Sequence, residues 1–300
     1  MSFSLRVALF NRNTPFARLE RHAPFARLER HAPFARLGRR ALLSLAAGAL
    51  ALSLGTPSFA AQPLKLGVMA GAEEQIAEVV QKVAASKGLA VELIPFTDYA
   101  LPNEALNAGE LDANAFQHKP YLDSQIAARG YKIVPIGFTI VEPIGLYTKS
   151  VKSVADLKEG ARIGIPNDPS NGDRALRLLA SAGLLTLRDT KGSAASPLDI
   201  TSNPKNLKIL ELEAAQLPRA LGDLDAAVIN TGYAVDAGLH PATDAIAQEP
   251  RVGNPYGNFI AARAGDVDRA DLKLLVASYQ SPEVQAFIET HFKGAILPAW

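Results

Sequence analysis

The chain has 300 residues, with 31 lysines and arginines against 30 acids and no cysteine, so disulfides, thiolate metal sites, cysteine nucleophiles and lipid attachment through cysteine are not expected. Its formal charge of +1 is unevenly spread: residues 1–40 carry nine arginines and two acids, and removing them leaves 22 basic and 28 acidic residues, about −6. That is the wrong sign for a nucleic-acid binder.

Ala41 to Leu54, ALLSLAAGALALSL, is an apolar run of 14 residues. It falls short of the roughly 20 needed to span a bilayer as a helix. It exits through GTPSFA-AQ, with Ser58 and Ala60 at the small-residue positions before a cleavage point. A basic flank, a short apolar run and a small-x-small exit predict a secretory signal peptide cut after Ala60. Upstream, PFARLERHA stands at 15–23 and again at 24–32, and PFARLGRR begins at 33. An Arg-rich repeat ahead of a signal peptide cannot build an exported core, so residues 1–60 are set aside as signal peptide and extension. Arg39 and Arg40 leave twin-arginine export open beside the general route. The remaining 240 residues suffice for one large or two modest domains. They hold no second long apolar stretch.

From residue 64 the pattern alternates. LKLGVMA (64–70) predicts a buried strand, and 73–87 carries Ile76, Val79, Val80, Val83 and Ala84 at helical spacing. A strand at 89–96, a helix near 103–109, a strand near 112–115, a helix at 119–129 and a strand at 131–138 follow. After EPIGLYTKS (142–150) a second series runs: strand 161–166, helix 171–182, strand 207–212, a short helix near 216–222, strand 225–230 and helix 232–238. Between them Lys191–Asn206, rich in Ser, Gly and Pro, predicts a surface loop. A strand at 258–264 and two helices, 268–279 and 282–291, close the chain. Such alternation means βαβ units, mostly parallel sheets and an α/β fold; two series joined by extended segments predict two lobes with a cleft between them.

The stretch IGIPNDPSNGDRALRLL (163–179) runs from a strand into a helix, with Ser170 as the expected N-cap and Asp173 completing a capping-box pattern. Strand ends beside helix N-termini are where open α/β folds place ligands, and free N–H groups there favour an anion. Arg174 can pair bidentately with a carboxylate, or can simply pair with a surface acid. LDANAFQHKPYL (111–122) supplies Phe116, His118 and Tyr121, with Tyr99 and Phe96 upstream, an aromatic wall suited to an apolar or soft group. His118, His240 and His291 have no metal-ligand spacing, and no nucleophile elbow, P-loop or GxGxxG motif is present. Asn230 in VINTGYA and Asn258 in GNPYGNF stand at strand ends, either as turn or cap residues or as readers of a group that donates and accepts.

With these stretches in view, the sequence resembles the NlpA-type methionine-binding proteins, the extracytoplasmic receptors of methionine ABC importers. The matching segments are DANAFQHKPYLD, PNDPSNGDRALRLL, NPKNLKILELEAAQLPRAL, AVINTGYA, NPYGNFIAAR and VASYQSPEVQAFI, in order across 63–300. The resemblance implies a two-lobed periplasmic-binding-protein fold, with lobe 1 at 63–143 plus 249–300 and lobe 2 at 144–248. It implies that Arg174 holds the ligand carboxylate, that Asn230 and Asn258 orient the head group, and that Tyr99, Phe116, His118 and Tyr121 line the side-chain pocket. The implied ligand is methionine, L or D, or a close analogue; another apolar amino acid or a short methionine-containing peptide is the alternative, and an enzyme acting on amino acids a more distant one. The implied partners are an inner-membrane ABC permease and its ATPase, with a monomeric receptor, no cofactor, no metal and no catalytic residue. Relatives usually carry a lipidated cysteine after the signal; its absence predicts a periplasmic protein without a lipid anchor. Asp173 and Gly232 also depart from the residues common at those positions, the first toward an acid and the second toward a smaller side chain.

Overall fold

The computed structural model describes residues 62–300. The Arg-rich repeats, the apolar run and the expected cleavage point after Ala60 lie outside the described residues.

The chain starts with β1 (Leu64–Met69), α1 (Ala72–Ser86), β2 (Val91–Phe96), α2 (Leu101–Ala108), β3 (Ala113–His118), α3 (Lys119–Arg129) and β4 (Ile133–Val141). Residues 142–144 then cross to a second sheet, which opens with β5 (Gly145–Tyr147), β6 (Arg162–Pro166) and α4 (Pro169–Ser181). A small ribbon, β7 (Thr186–Leu187) with β8 (Ile200–Ser202), precedes β9 (Lys208–Leu212), α5 (Leu217–Ala220) and β10 (Ala226–Ile229). After α6 (Thr231–Asp236), α7 (Pro241–Asp244) and β11 (Ala245–Gln248), residues 249–256 cross back to the first sheet. There β12 (Gly257–Arg263) is followed by α8 (Ala270–Tyr279), α9 (Pro282–Phe292) and β13 (Leu297–Pro298).

The first sheet has the order β13-β4-β12-β3-β1-β2 and the second β11-β5-β10-β6-β9. Parallel pairing holds for β2-β1-β3 and for β9-β6-β10, as βαβ alternation predicts. The remaining pairings are antiparallel, so each sheet is mixed. The antiparallel strands β5, β11 and β13 have two to four residues, too few to show a period in sequence. Part of the 191–206 segment is likewise ordered: Asp199 is buried, and β8 pairs with β7.

Each sheet has its own apolar core, which gives the α/β fold its two lobes. On the first, α1 lays Ile76, Val80 and Ala84, four residues apart, against Leu66, Val68, Leu275 and Tyr279. Burying side chains of the Ile and Val size stabilises by about 1.5–3 kcal/mol each. On the second, Leu176 and Leu179 of α4 pack with Ile163, Ile165 and Val228. Among the described residues no helix is long and apolar enough to cross a membrane.

The start of α4 differs from expectation. Pro169 is its first residue, so the cap falls to Asp168, whose Oδ1 accepts the Asn171 N–H at 2.9 Å. Ser170 therefore lies inside the helix and caps nothing. Asp173 turns away to Arg177 (2.8 Å) and to the Ala195 N–H (2.7 Å).

Candidate ligand-binding site

A cavity of about 330 Å³ opens where the two crossovers meet the carboxyl ends of β3 and β10 and the start of α4. All seven residues singled out from the sequence line it.

One wall is aromatic. Phe116 and His118 lie two residues apart on β3 and so share a face, Tyr121 stands in the first turn of α3, and Tyr99 comes from the loop after β2. Tyr99, Phe116 and Tyr121 meet with ring centroids 5.8–6.0 Å apart, and the Tyr121 hydroxyl donates to the Tyr99 carbonyl at 2.8 Å. Behind them, Asn103 and Gln117 exchange two hydrogen bonds of 2.7 Å, and Asn114 adds a third partner at 2.9 Å. This buried amide network holds α2 against β3, so the wall is stiff.

His118 has two duties. Its Nδ1 accepts the Tyr121 N–H at 3.3 Å, capping α3, which assigns the ring proton to Nε2. Nε2 then donates to Asn171 Oδ1 at 3.2 Å. Burial, reinforced by the Arg174 charge, lowers the imidazole from 6.5 to about 3, so the ring is neutral at physiological pH.

The polar side converges on Asn171, which sequence reasoning passed over. Its Oδ1 also accepts from Asn230 Nδ2 at 3.0 Å, while its own Nδ2 donates to Asp168 at 2.9 Å. Asn230 occupies the N-cap position of α6, yet its side chain caps nothing. Its Oδ1 is buried without a donor. Asn258, 5% exposed, is the register partner of His118 across the β12–β3 pairing.

Glu142, also not singled out, is the first residue after β4, in the outgoing crossover, and enters the cavity 8% exposed, with Oε1 lacking a partner. Burial pushes its carboxyl from 4.5 up to about 7, against the opposing pull of Arg174, and Asp236 adds to the rise. Glu73, similarly buried, is likewise raised well above the usual carboxylate range, by burial first and then by Glu142. Gly232 leaves room here: a Cβ would sit 3.5 Å from Glu142 Oε1. An acid inside the apolar stretch IVEPIG is the signal that could have found Glu142.

Arg174, in the second turn of α4 and 3% exposed, is held in plane by Glu249: Nε donates to Oε1 at 2.8 Å and Nη2 to Oε2 at 2.6 Å. Nη2 also donates to the Glu142 carbonyl at 2.8 Å, and the guanidinium carbon lies 4.2 Å over the Tyr256 ring. The bidentate edge expected to face a ligand is thus taken, and Nη1 is the nitrogen with no protein acceptor among the described residues. A cavity with a charged donor, two orphan acceptors and an aromatic wall suits a zwitterion with an apolar side chain. Among the described residues no group of three or more His, Asp or Glu could hold a metal ion.

A two-lobed α/β protein with a polar-and-aromatic cavity at its crossovers is a binding protein of the periplasmic type. The model of the NlpA lipoprotein family matches residues 64–300, and the chain belongs to that family. It is 51% identical over 240 residues to the D-methionine-binding lipoprotein MetQ of Escherichia coli (strain K12), covering 79% of this chain and 88% of that protein. It is 52% identical, with the same coverage, to the protein of that name in Salmonella typhimurium. Among solved structures, a nutrient binding protein from Burkholderia cenocepacia bound to methionine has 53% identity and a TM-score of 0.78, over 79% of this chain and 100% of that one. The methionine binding protein MetQ superposes with a TM-score of 0.77 at 51% identity, over 79% and 98%.

These relatives correct one expectation. The absence of cysteine predicted a protein without a lipid anchor, but the family and the curated relatives are named as lipoproteins, which contradicts that reading.

Proposed function

We propose that this chain is the extracytoplasmic receptor of an ABC importer, capturing methionine or a close analogue and presenting it to an inner-membrane permease and its ATPase. The observation that carries the reading is one cavity holding an unshared Arg174 nitrogen, two donor-less oxygens on Glu142 and Asn230, and the Tyr99–Phe116–Tyr121 wall. The ligand carboxylate goes to Arg174 Nη1 and its ammonium to Glu142 and Asn230. Asn258 orients the head group, and the thioether lies against the aromatic rings. The relatives' printed names support methionine, and their being binding proteins supports a non-enzymatic role.

The lobes divide as 63–143 plus 249–300 and 144–248, with the boundaries in the two crossovers. Ligand favours closure by its differential affinity for the closed arrangement, and closure makes the face that the permease reads.

One variant is a methionine-containing peptide, whose extra residue would have to enter a second hollow that shares Tyr99 with the site, is lined by Glu73 and Tyr233, and has room for little more than a water as it stands. Native mass spectrometry of the purified protein, before and after unfolding and refolding with single candidates, separates the two. A restored adduct of methionine mass supports the receptor reading and a dipeptide mass the variant. Failure of every amino acid and peptide to bind overturns both.

A further inference from the structure

Residues 249–258, EPRVGNPYGN, span the returning crossover and the first two residues of β12, and they surround Arg174. Glu249 grips the guanidinium edge and Tyr256 lies under its face. Asn258, at the end of the same segment, lines the cavity. Glu249 is itself held from three sides. Its Oε2 accepts the Ile144 N–H at 3.1 Å and Asn254 Nδ2 at 3.0 Å, and its own N–H donates to the Ile144 carbonyl at 3.0 Å. Asn254 Oδ1 in turn accepts the Tyr256 N–H at 2.9 Å. The outgoing crossover is tied in as well, because Arg174 Nη2 donates to the Glu142 carbonyl. One guanidinium from α4 is thereby fastened to both segments that join the sheets.

We infer that Glu249 is a positioning residue for carboxylate recognition: it fixes the Arg174 guanidinium so that Nη1 faces the cavity, and it couples that orientation to both crossovers. This rests on the reading of the cavity as a zwitterion receptor. Three of the five Arg174 N–H bonds are spent on Glu249 and the Glu142 carbonyl, so the ligand meets the two on Nη1. A planar fork held at one edge presents its other nitrogen at a fixed angle, which a freely rotating side chain does not. The ion pair is 3% and 9% exposed, so water does not take over the role of Glu249. The neutralised arginine would also distinguish a carboxylate by direction rather than by bare charge.

The test is calorimetric titration of the full chain and of Glu249→Gln with methionine and with methioninamide, which keeps the ammonium and thioether and lacks the carboxylate. The wild type should prefer methionine. In Glu249→Gln, methionine affinity should fall about ten- to a hundredfold, the scale of a misdirected charged hydrogen bond, while methioninamide affinity holds. Equal losses for both ligands, no loss, or a gain for methionine would each overturn the inference; a gain would mean that Glu249 competes with the ligand for charge. If Glu249→Gln does not fold, Asn254→Ala decides, because it keeps the ion pair and removes one brace. A selective two- to tenfold loss for methionine supports the inference, and an equal loss overturns it. A wild type that binds neither ligand instead sinks the receptor reading itself.

Discussion

Asn258 on β12 stands directly across from His118 on β3, as antiparallel register partners 140 positions apart in the chain. A strand from the end of the sequence thus delivers an amide to the same spot as an imidazole from its first half. Asn258→Ala should leave stability within about 1 kcal/mol and reduce methionine binding by about 1.5–3 kcal/mol, the value of a hydrogen bond to a charged group. Titration calorimetry paired with urea unfolding checks both halves, and intact affinity would remove Asn258 from the site.

The His118 ring should not titrate in the folded protein between pH 4 and 8, since burial and Arg174 hold it near 3. The unfolded chain takes up a proton near 6.5 and the folded one does not, so this group's contribution to stability is lost as pH falls from about 6.5 toward 3. Ring chemical shifts followed by NMR across that range give the answer. A midpoint near 6.5 would mean that the ring is solvated.

Glu142 has the opposite sign. Its folded carboxyl is raised to about 7 from 4.5, so the stabilising protonated form is fully present below 4.5 and lost as pH rises through about 7. An ammonium placed against Oε1 should ionise it, so methionine binding at pH 6 should release protons. Calorimetry in buffers of different ionisation enthalpy measures that release, which Glu142→Gln should abolish. Buffer-independent heats in the wild type would place the ammonium elsewhere.

Removing Arg174 strands a buried acid. Arg174→Ala should destabilise the ligand-free protein by about 3–5 kcal/mol, because Glu249 is left with a buried uncompensated charge. The double variant Arg174→Ala/Glu249→Ala should recover part of that loss. Urea midpoints of the three proteins make the comparison; a single variant as stable as the wild type would mean that the pair is solvated.

The N-terminus of α1 is capped from the second sheet's side: Asp236, the last residue of α6, accepts the Ala72 N–H at 3.0 Å. Gly71 has φ 91°, and a Cβ there would run into the Asp236 carboxylate. Gly71→Ala should therefore part this contact and lower both melting temperature and methionine affinity. Scattering from the ligand-free variant should show a larger radius of gyration, and an unchanged radius with unchanged affinity would count against a bridge between the lobes.

The order of helices and strands was legible wherever a segment was long enough to show its period, as in Ile76–Val80–Ala84 of α1 or the apolar run of β1. β5, β11 and β13 escaped because a strand of two to four residues has no period to read. The α4 cap was misplaced by two positions because Pro169 fills the first helical turn, a rule that outweighs the mere presence of a serine. Of the site, the seven residues expected from the sequence, six of them within the matching motifs, lie together in one cavity. Asn171, Glu142 and Glu249 went unread, although the first stands within a quoted motif.

By itself the sequence determined the alternating α/β pattern, the family, and the residue types available for a zwitterion, because periodicity and capping act between residues a few positions apart. Tertiary structure alone decided which partners those residues have. Asn171 meets Asn230 across 59 positions and Arg174 meets Glu249 across 75, distances at which strand register and the two crossovers govern contact. It also decided charge: His118 is neutral and Glu142 holds its proton to about pH 7 because each is covered by chain from elsewhere, and desolvation depends on what does the covering.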